Sequence, residues 1–332
     1  MLLKVKHLFQ RFIICSKEFP GNLKEFGLKI ALLQFWDVLI PIGKSKTYIK
    51  ALSAYVIKEL ASLSEAYNCG DISLPSPKVS LGKTPVWVCW WQGEDKMPPI
   101  VKACVERMRC SLPETAQLYI ITWDNLQDYI ELPQYIMEKF QKGLITNVHL
   151  TDILRYGLMS SYGGAWIDST VLLSNRILEN LPEYLDRMYF TQRYTGWDSC
   201  PREACRGKWC NFFFMGKQEC LLFSFVYEAL QMWWKKHNRI IDYVIVDYLI
   251  WAGYCGVEKI RQLIDAVPPN NENIWLLERH MGDGFDPKAF DELMQQNDFY
   301  KLSYKMKRSI TTEDGQKTVY AHILEENGVV LE

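Results

Sequence analysis

Pro85-Val86-Trp87-Val88-Cys89-Trp90-Trp91 is a short apolar run rich in strand formers, and it stops at Gln92-Gly93. It reads as a buried strand that feeds a loop. Downstream, Pro98 and Pro99 open a helical pattern that runs from Met97 to Arg109. Leu118-Tyr119-Ile120-Ile121-Thr122 is then a second buried strand. Strand, helix, strand at this spacing is a βαβ unit, which predicts a parallel sheet with helices on its faces.

Outward from this unit the pattern stays α/β on one side only. Toward the C-terminus, helices are predicted over Leu132–Gln141, Leu150–Tyr162, Cys220–His237 and Val244–Ala252. Strands are predicted at Trp166–Asp168, Leu302–Lys305 and Thr318–His322. Toward the N-terminus, residues 1 to about 66 read as helices broken at Pro41 and Gly43. Asn68, Gly70, Asp71, Ser73, Pro75 and Pro77 form a linker. The expected organisation is therefore a helical arm and linker over residues 1–80, followed by an α/β domain over 81–332.

The chain has 332 residues, is 48% apolar and carries a net charge of −1, which suits a large globular domain with an appendage and argues against a nucleic-acid binder. Its first sixty residues hold ten Lys and Arg against four Asp and Glu, an excess of six. Such a basic helical arm suits either a cap on the domain or an anionic membrane surface. The ten Cys contain no C-x-x-C pair, and the five-residue spacing of Cys200, Cys205 and Cys210 is not a usual ligand spacing. With a poor signal-peptide pattern and no run of ~20 apolar residues, the chain reads as cytoplasmic and reduced, with the inner face of the plasma membrane as a place of contact.

Chemistry concentrates between Thr151 and Thr170. Asp152 and Arg155 lie three apart and share a helix face. Alone they would be a surface ion pair worth under about 1 kcal/mol. Gly163-Gly164 then permit a tight backbone, and a strand ends at Asp168. A carboxylate at the carboxyl end of a parallel strand faces the crevice where α/β sheets bind ligands. Ser169 and Thr170 add hydroxyls. A carboxylate and a guanidinium can orient sugar hydroxyls.

The stretch Asp152-Ile153-Leu154-Arg155-Tyr156, with Met159 and then Tyr162-Gly163-Gly164-Ala165-Trp166-Ile167-Asp168-Ser169-Thr170, resembles the signature of glycosyltransferase family 32, closest to the bacterial capsular polysaccharide synthesis proteins. Weaker likenesses occur in order at Val86–Gly93, at Asp242-Tyr243-Val244-Ile245-Val246-Asp247 and at Lys301-Leu302-Ser303-Tyr304-Lys305, with Gly27-Leu28-Lys29 and Gly43-Lys44-Ser45 in the arm. The resemblance implies a GT-A fold and a sugar transfer with retention, from a nucleotide-sugar, taken as a UDP-sugar, to a saccharide acceptor that could be lipid-linked. It assigns Asp152, Arg155 and Gly164 to donor binding and Trp90 to the base. Asp168 becomes the first carboxylate of a D-x-D-like motif, a catalytic and metal-site residue. The motif departs from the pattern at Thr170, where relatives carry the second Asp, so a Mn²⁺ or Mg²⁺ cofactor is expected with a weakened ligand set.

Other candidates have competing readings. Asp247 suits the catalytic centre or a capping position. His322 suits a metal or a merely satisfied ring. Lys305 suits the diphosphate or a solvated basic strand shared with Lys301 and Lys307. Trp233 and Trp234 suit core packing. Two non-enzymatic readings also stand, a degenerate nucleotide-sugar binding protein and an assembly subunit of a polysaccharide-synthesis complex.

Overall fold

The computed structural model describes residues 2–39, 45–72, 74–193 and 204–330, with residues 2–8 as backbone only. Cys200, Pro41, Gly43 and Lys44 lie outside the described residues. The opening run is strand β1 (Thr84–Cys89) and the second is β2 (Ala116–Ile121), joined by the helix Pro99–Ser111. They pair in parallel from Thr84↔Ala116 to Cys89↔Ile121. Strand β3 (Gly164–Ile167) pairs in parallel on the other side of β1, with Trp87 opposite Trp166. Two short strands, β5 (Tyr189–Thr191) and β6 (Phe213–Gly216), complete the sheet in the order β2-β1-β3-β6-β5. β6 runs antiparallel to both neighbours. Four of the five strands thus share one direction, and the α/β sheet is mostly parallel and flanked by helices, consistent with a GT-A-like fold.

Two further strands, β4 (Val171–Leu173) and β7 (Phe299–Lys301), pair antiparallel beside the main sheet. The turn Asp168–Val171 links β3 to β4, closed by the Val171 amide on the Asp168 carbonyl at 2.9 Å. This small ladder brings a segment 130 residues downstream against the end of β3.

The C-terminal region corrects two expectations. The strand expected over Leu302–Lys305 lies earlier, at Phe299–Lys301, because the Leu302 amide turns to the Thr170 carbonyl at 2.8 Å and ends the ladder. The strand expected over Thr318–His322 is a helix, Val319–Glu326. The Thr318 side chain caps it by accepting from the Ala321 amide, so a run of strand formers is overridden by its cap.

The arm is helical as expected: Leu2–Leu39, Lys46–Glu59 and Ala61–Cys69. The first helix breaks at Gly27, whose φ of 80° belongs to the glycine region, and Phe12 and Phe19 then both meet Phe35 across the bend. Phe26 stacks on Trp233, and Tyr67 meets Phe225 edge-on. Phe26, Ile30, Tyr48, Leu52, Val56, Leu60, Leu63 and Tyr67 of the arm belong to the same apolar cluster as the sheet. Trp233 and Trp234 are both core residues, 2% and 0% exposed.

Candidate functional site

The helix Asn147–Tyr162 opens with Thr146, whose hydroxyl accepts from the His149 amide, and ends at Gly163. Its three-residue spacing puts Asp152 and Arg155 on one buried face. Arg155 Nη2 lies 3.4 Å from Asp152 Oδ1 and 3.8 Å from Asp168 Oδ1. Its guanidinium sits 5.1 Å above the Trp166 ring, and Nη1 donates to the Asn211 carbonyl. Arg155 Nε is buried without a hydrogen-bond partner, and so is Trp90 Nε1. Unpaired buried donors are uncommon in folded proteins and mark places where a ligand's acceptors could fit.

Asp168 follows β3 at the carboxyl edge of the sheet. Trp166 Nε1 donates to its Oδ1 at 3.0 Å, and Lys301 Nζ donates to its Oδ2 at 2.9 Å. Lys301 also donates to Thr170 Oγ1 at 2.7 Å. The small ladder sets this contact, since Lys301 pairs with Val171 at the end of β7. The carboxylate and the ammonium keep 28% and 14% side-chain exposure, so the pair faces an opening. Burial pushes Asp168 upward, but Lys301 and Arg155 outweigh it and hold the carboxyl below its ordinary value. At Asp152 burial wins: the carboxyl is pushed up to about 6, against the pull of Arg155 and with the repulsion of Asp168 added. Two carboxylates beside one guanidinium are thus driven apart in affinity for protons. The Cys89 thiol at the end of β1 is pushed up to about 12 by burial and stays neutral.

The remaining candidates divide. Trp90 lies just beyond β1, 5.5 Å edge-on from Tyr304. Asp247 sits in the first turn of the helix Ile245–Gly256, where its Oδ1 accepts from Trp209 Nε1 at 3.0 Å and Asn211 Nδ2 at 2.7 Å. It reaches Arg155 through Asn211. Gly164 starts β3 at the end opposite Asp168, and an added Cβ would stand 2.0 Å from the Pro85 carbonyl oxygen, so its glycine serves close strand approach. Lys305 lies in an exposed bend past β7, and Lys301 stands beside Asp168. His322 stacks on Phe285 at 3.7 Å, with Nε2 3.9 Å from Glu326. Burial lowers its pKa. Asn211, Trp209 and Phe212 carried no periodic signal in the sequence, yet Asn211 and Phe212 border the site.

The donor set fits a divalent cation poorly. The turn offers one carboxylate, with both oxygens engaged, and two hydroxyls, of which that of Thr170 already faces an ammonium. Among the described residues no three His, Cys, Asp or Glu side chains are grouped to hold a metal.

The charged cluster stands at the carboxyl edge of a mostly parallel α/β sheet, the edge at which sheets of this kind hold their ligands. The family model for capsular polysaccharide synthesis proteins matches residues 44–323. The chain belongs to that family, which supports a role in capsule biosynthesis. No curated protein matches it significantly.

Proposed function

We propose that the protein is a glycosyltransferase that moves a sugar from a nucleotide-sugar donor, a UDP-sugar, to a saccharide acceptor of a capsular polysaccharide, with retention at the anomeric carbon. The observation that carries this reading is the convergence of Asp152, Arg155 and Asp168 at the carboxyl edge of β3, with Lys301 beside them. Asp152 and Arg155 orient the sugar hydroxyls, Trp90 offers a ring to the base, and the cations face the diphosphate. Asp247 holds Asn211, and through it Arg155, in place. A cavity of about 680 Å³ between the arm and the domain is lined by Phe19, Gln34, Tyr48, His149 and Tyr243, and Trp90, Asp152, Arg155, Asp168 and Lys301 are not part of its lining. His149 lies one helical turn before Asp152.

A panel of UDP, ADP, GDP and CDP and their common sugar conjugates, read by thermal shift and by slow donor hydrolysis, tests the reading. A ligand at about 100 times its dissociation constant adds about 2.7 kcal/mol of stability. Stabilisation without any hydrolysis would leave a binding protein, and no stabilisation by any of them would favour the assembly-subunit reading.

The arm supports work at the inner face of the plasma membrane on a lipid-linked acceptor. Leu28, Leu32 and Trp36 recur every four residues and are 59%, 41% and 54% exposed. Lys17, Lys24 and Lys29 are also exposed, while Glu18, Glu25 and Glu59 are engaged by Arg239, His237 and Lys236. The acids turned to the domain leave the outer face basic, which suits anionic lipid. Among the described residues no helix is long and apolar enough to cross a membrane. Flotation with phosphatidylglycerol vesicles but not with phosphatidylcholine vesicles is the expected result, and equal behaviour with both would remove the membrane from the proposal.

A further inference from the structure

In the D-x-D-like turn Asp168-Ser169-Thr170, the two side chains that would face a metal ion face a lysine instead. We infer that Lys301 is the resident cation of this site, standing where a divalent ion would otherwise sit and receiving the donor's diphosphate directly. The inference rests on the sugar-transfer reading and deepens it. Its support is geometric. One ammonium donates to Asp168 Oδ2 at 2.9 Å and to Thr170 Oγ1 at 2.7 Å, so it spans the first and third positions of the motif.

The position is built into the backbone. Lys301 ends β7 opposite Val171, its amide donates to the Ile274 carbonyl at 3.0 Å, and the next amide, of Leu302, donates to the Thr170 carbonyl. The Phe212 ring lies 5.1 Å from the ammonium, and the Phe212 carbonyl accepts from the Asp168 amide at 2.8 Å. The lysine and the motif it spans are therefore fixed by one hydrogen-bonded network.

Thr170 acquires a reason in this arrangement. A second carboxylate there would draw a divalent ion, whereas a hydroxyl satisfies an ammonium without adding charge. A metal arriving beside Lys301 and Arg155 would meet two positive charges. A nucleoside diphosphate gains from the same two charges.

The transfer balances with the lysine protonated throughout. The bond between the anomeric carbon and the diphosphate oxygen breaks, and its electron pair goes to that oxygen. The acceptor hydroxyl oxygen bonds the anomeric carbon, and its proton passes to the departing diphosphate. Lys301 offsets the charge that grows on the diphosphate as the bond lengthens.

Two measurements on the full chain test this. UDP binding to the unaltered protein, by calorimetry, is expected to be equal in excess EDTA and in Mn²⁺, with no heat from Mn²⁺ alone. Lys301→Met is expected to weaken UDP at least about tenfold in EDTA, the value of one charge-assisted contact, and Lys301→Arg to keep most of the affinity. Lys301→Met should also open Asp168 and Thr170 to metal, so that Mn²⁺ recovers part of the lost UDP affinity. UDP binding that requires Mn²⁺ in the unaltered protein would overturn the inference while leaving sugar transfer standing. So would Lys301→Met binding UDP normally in EDTA. If no nucleoside diphosphate binds under either condition, the inference falls together with the reading beneath it. The EDTA comparison needs no variant, so a misfolded Lys301→Met would not rescue a failed idea.

Discussion

Two clusters of opposite charges among the described residues are built on opposite terms. At the seam between arm and domain, Glu18 meets Arg239 at 2.7 Å and Lys236 meets Glu59, pairs that keep one or both side chains well exposed. Tyr48 donates to Asp242 at 2.8 Å in the buried part of the seam. At the sheet edge, Asp152, Arg155, Asp168 and Lys301 crowd together with little solvent, two contacts are as long as 3.4 and 3.8 Å, and Arg155 Nε has no partner. The seam joins parts of the chain. The sheet-edge cluster is loosely paired and costly to desolvate, which is what a site prepared for a charged ligand requires. The two should respond differently to the same kind of substitution.

The largest effect is expected at Asp168. Asp168→Asn leaves Arg155 and Lys301 without their shared carboxylate and should lower donor turnover by on the order of 100-fold or more, with soluble, folded protein by circular dichroism. Near-normal turnover would move the reacting centre away from β3. Arg155→Ala should lower turnover to a similar degree and also destabilise, by about 3–5 kcal/mol in urea unfolding, because it leaves the buried Asp152 carboxylate without its cation. A stability loss under 1 kcal/mol would mean that the cluster is better hydrated than its burial indicates.

The pH profile separates the two carboxylates. Asp152 titrates at about 6, up from 3.8, and Asp168 below its ordinary value. Turnover should therefore fall on the acid side with a midpoint near 6, as Asp152 takes up its proton while Asp168 stays charged. Asp152→Asn should be slow and lose that limb. The stability signs are opposite for the two. The raised Asp152 makes the folded chain hold its proton more tightly, so its contribution is best below 3.8 and fades as pH rises through about 6. The depressed Asp168 contributes above its ordinary range and loses that contribution as pH falls through its lowered value. An acid limb unchanged in Asp152→Asn would assign the titration to another group.

How far these clusters could be read beforehand follows from how each is assembled. Asp152, Arg155 and Asp168 lie within one helix and the strand after it, so 3.6-residue and strand periodicity alone bring them together. Lys301 arrives through a three-residue strand whose partner, β4, is equally short, and no period can be seen in three residues. The expected strand was set three residues too late there, and nothing in its pattern placed Lys301 beside Asp168. His322 was misplaced for a related reason: Val319, Tyr320 and Ile323 are good strand residues, and only the hydroxyl of Thr318 on the Ala321 amide starts a helix. Gly164 was read as a donor contact from its place in a motif, when its spatial neighbour is Pro85. The arm read correctly because its helices are long.

The seam supplies the smaller predictions. Tyr48→Phe removes one donor from a buried carboxylate and should cost about 1.5–3 kcal/mol in urea unfolding. Glu18→Gln is the mildest. Glu18 is 55% exposed and Arg239 29%, and the two long side chains give up rotamer freedom to meet in high dielectric. The variant should lose less than about 1 kcal/mol, and the loss should shrink further as salt is raised. Its UDP affinity and its acid limb should match those of the unaltered protein. Measured side by side with Lys301→Met, it asks whether a paired charge matters here by its presence or by its place. If Glu18→Gln weakened UDP as much as Lys301→Met does, the seam would be coupled to the sheet edge, and the division of labour between the two clusters would have to be abandoned.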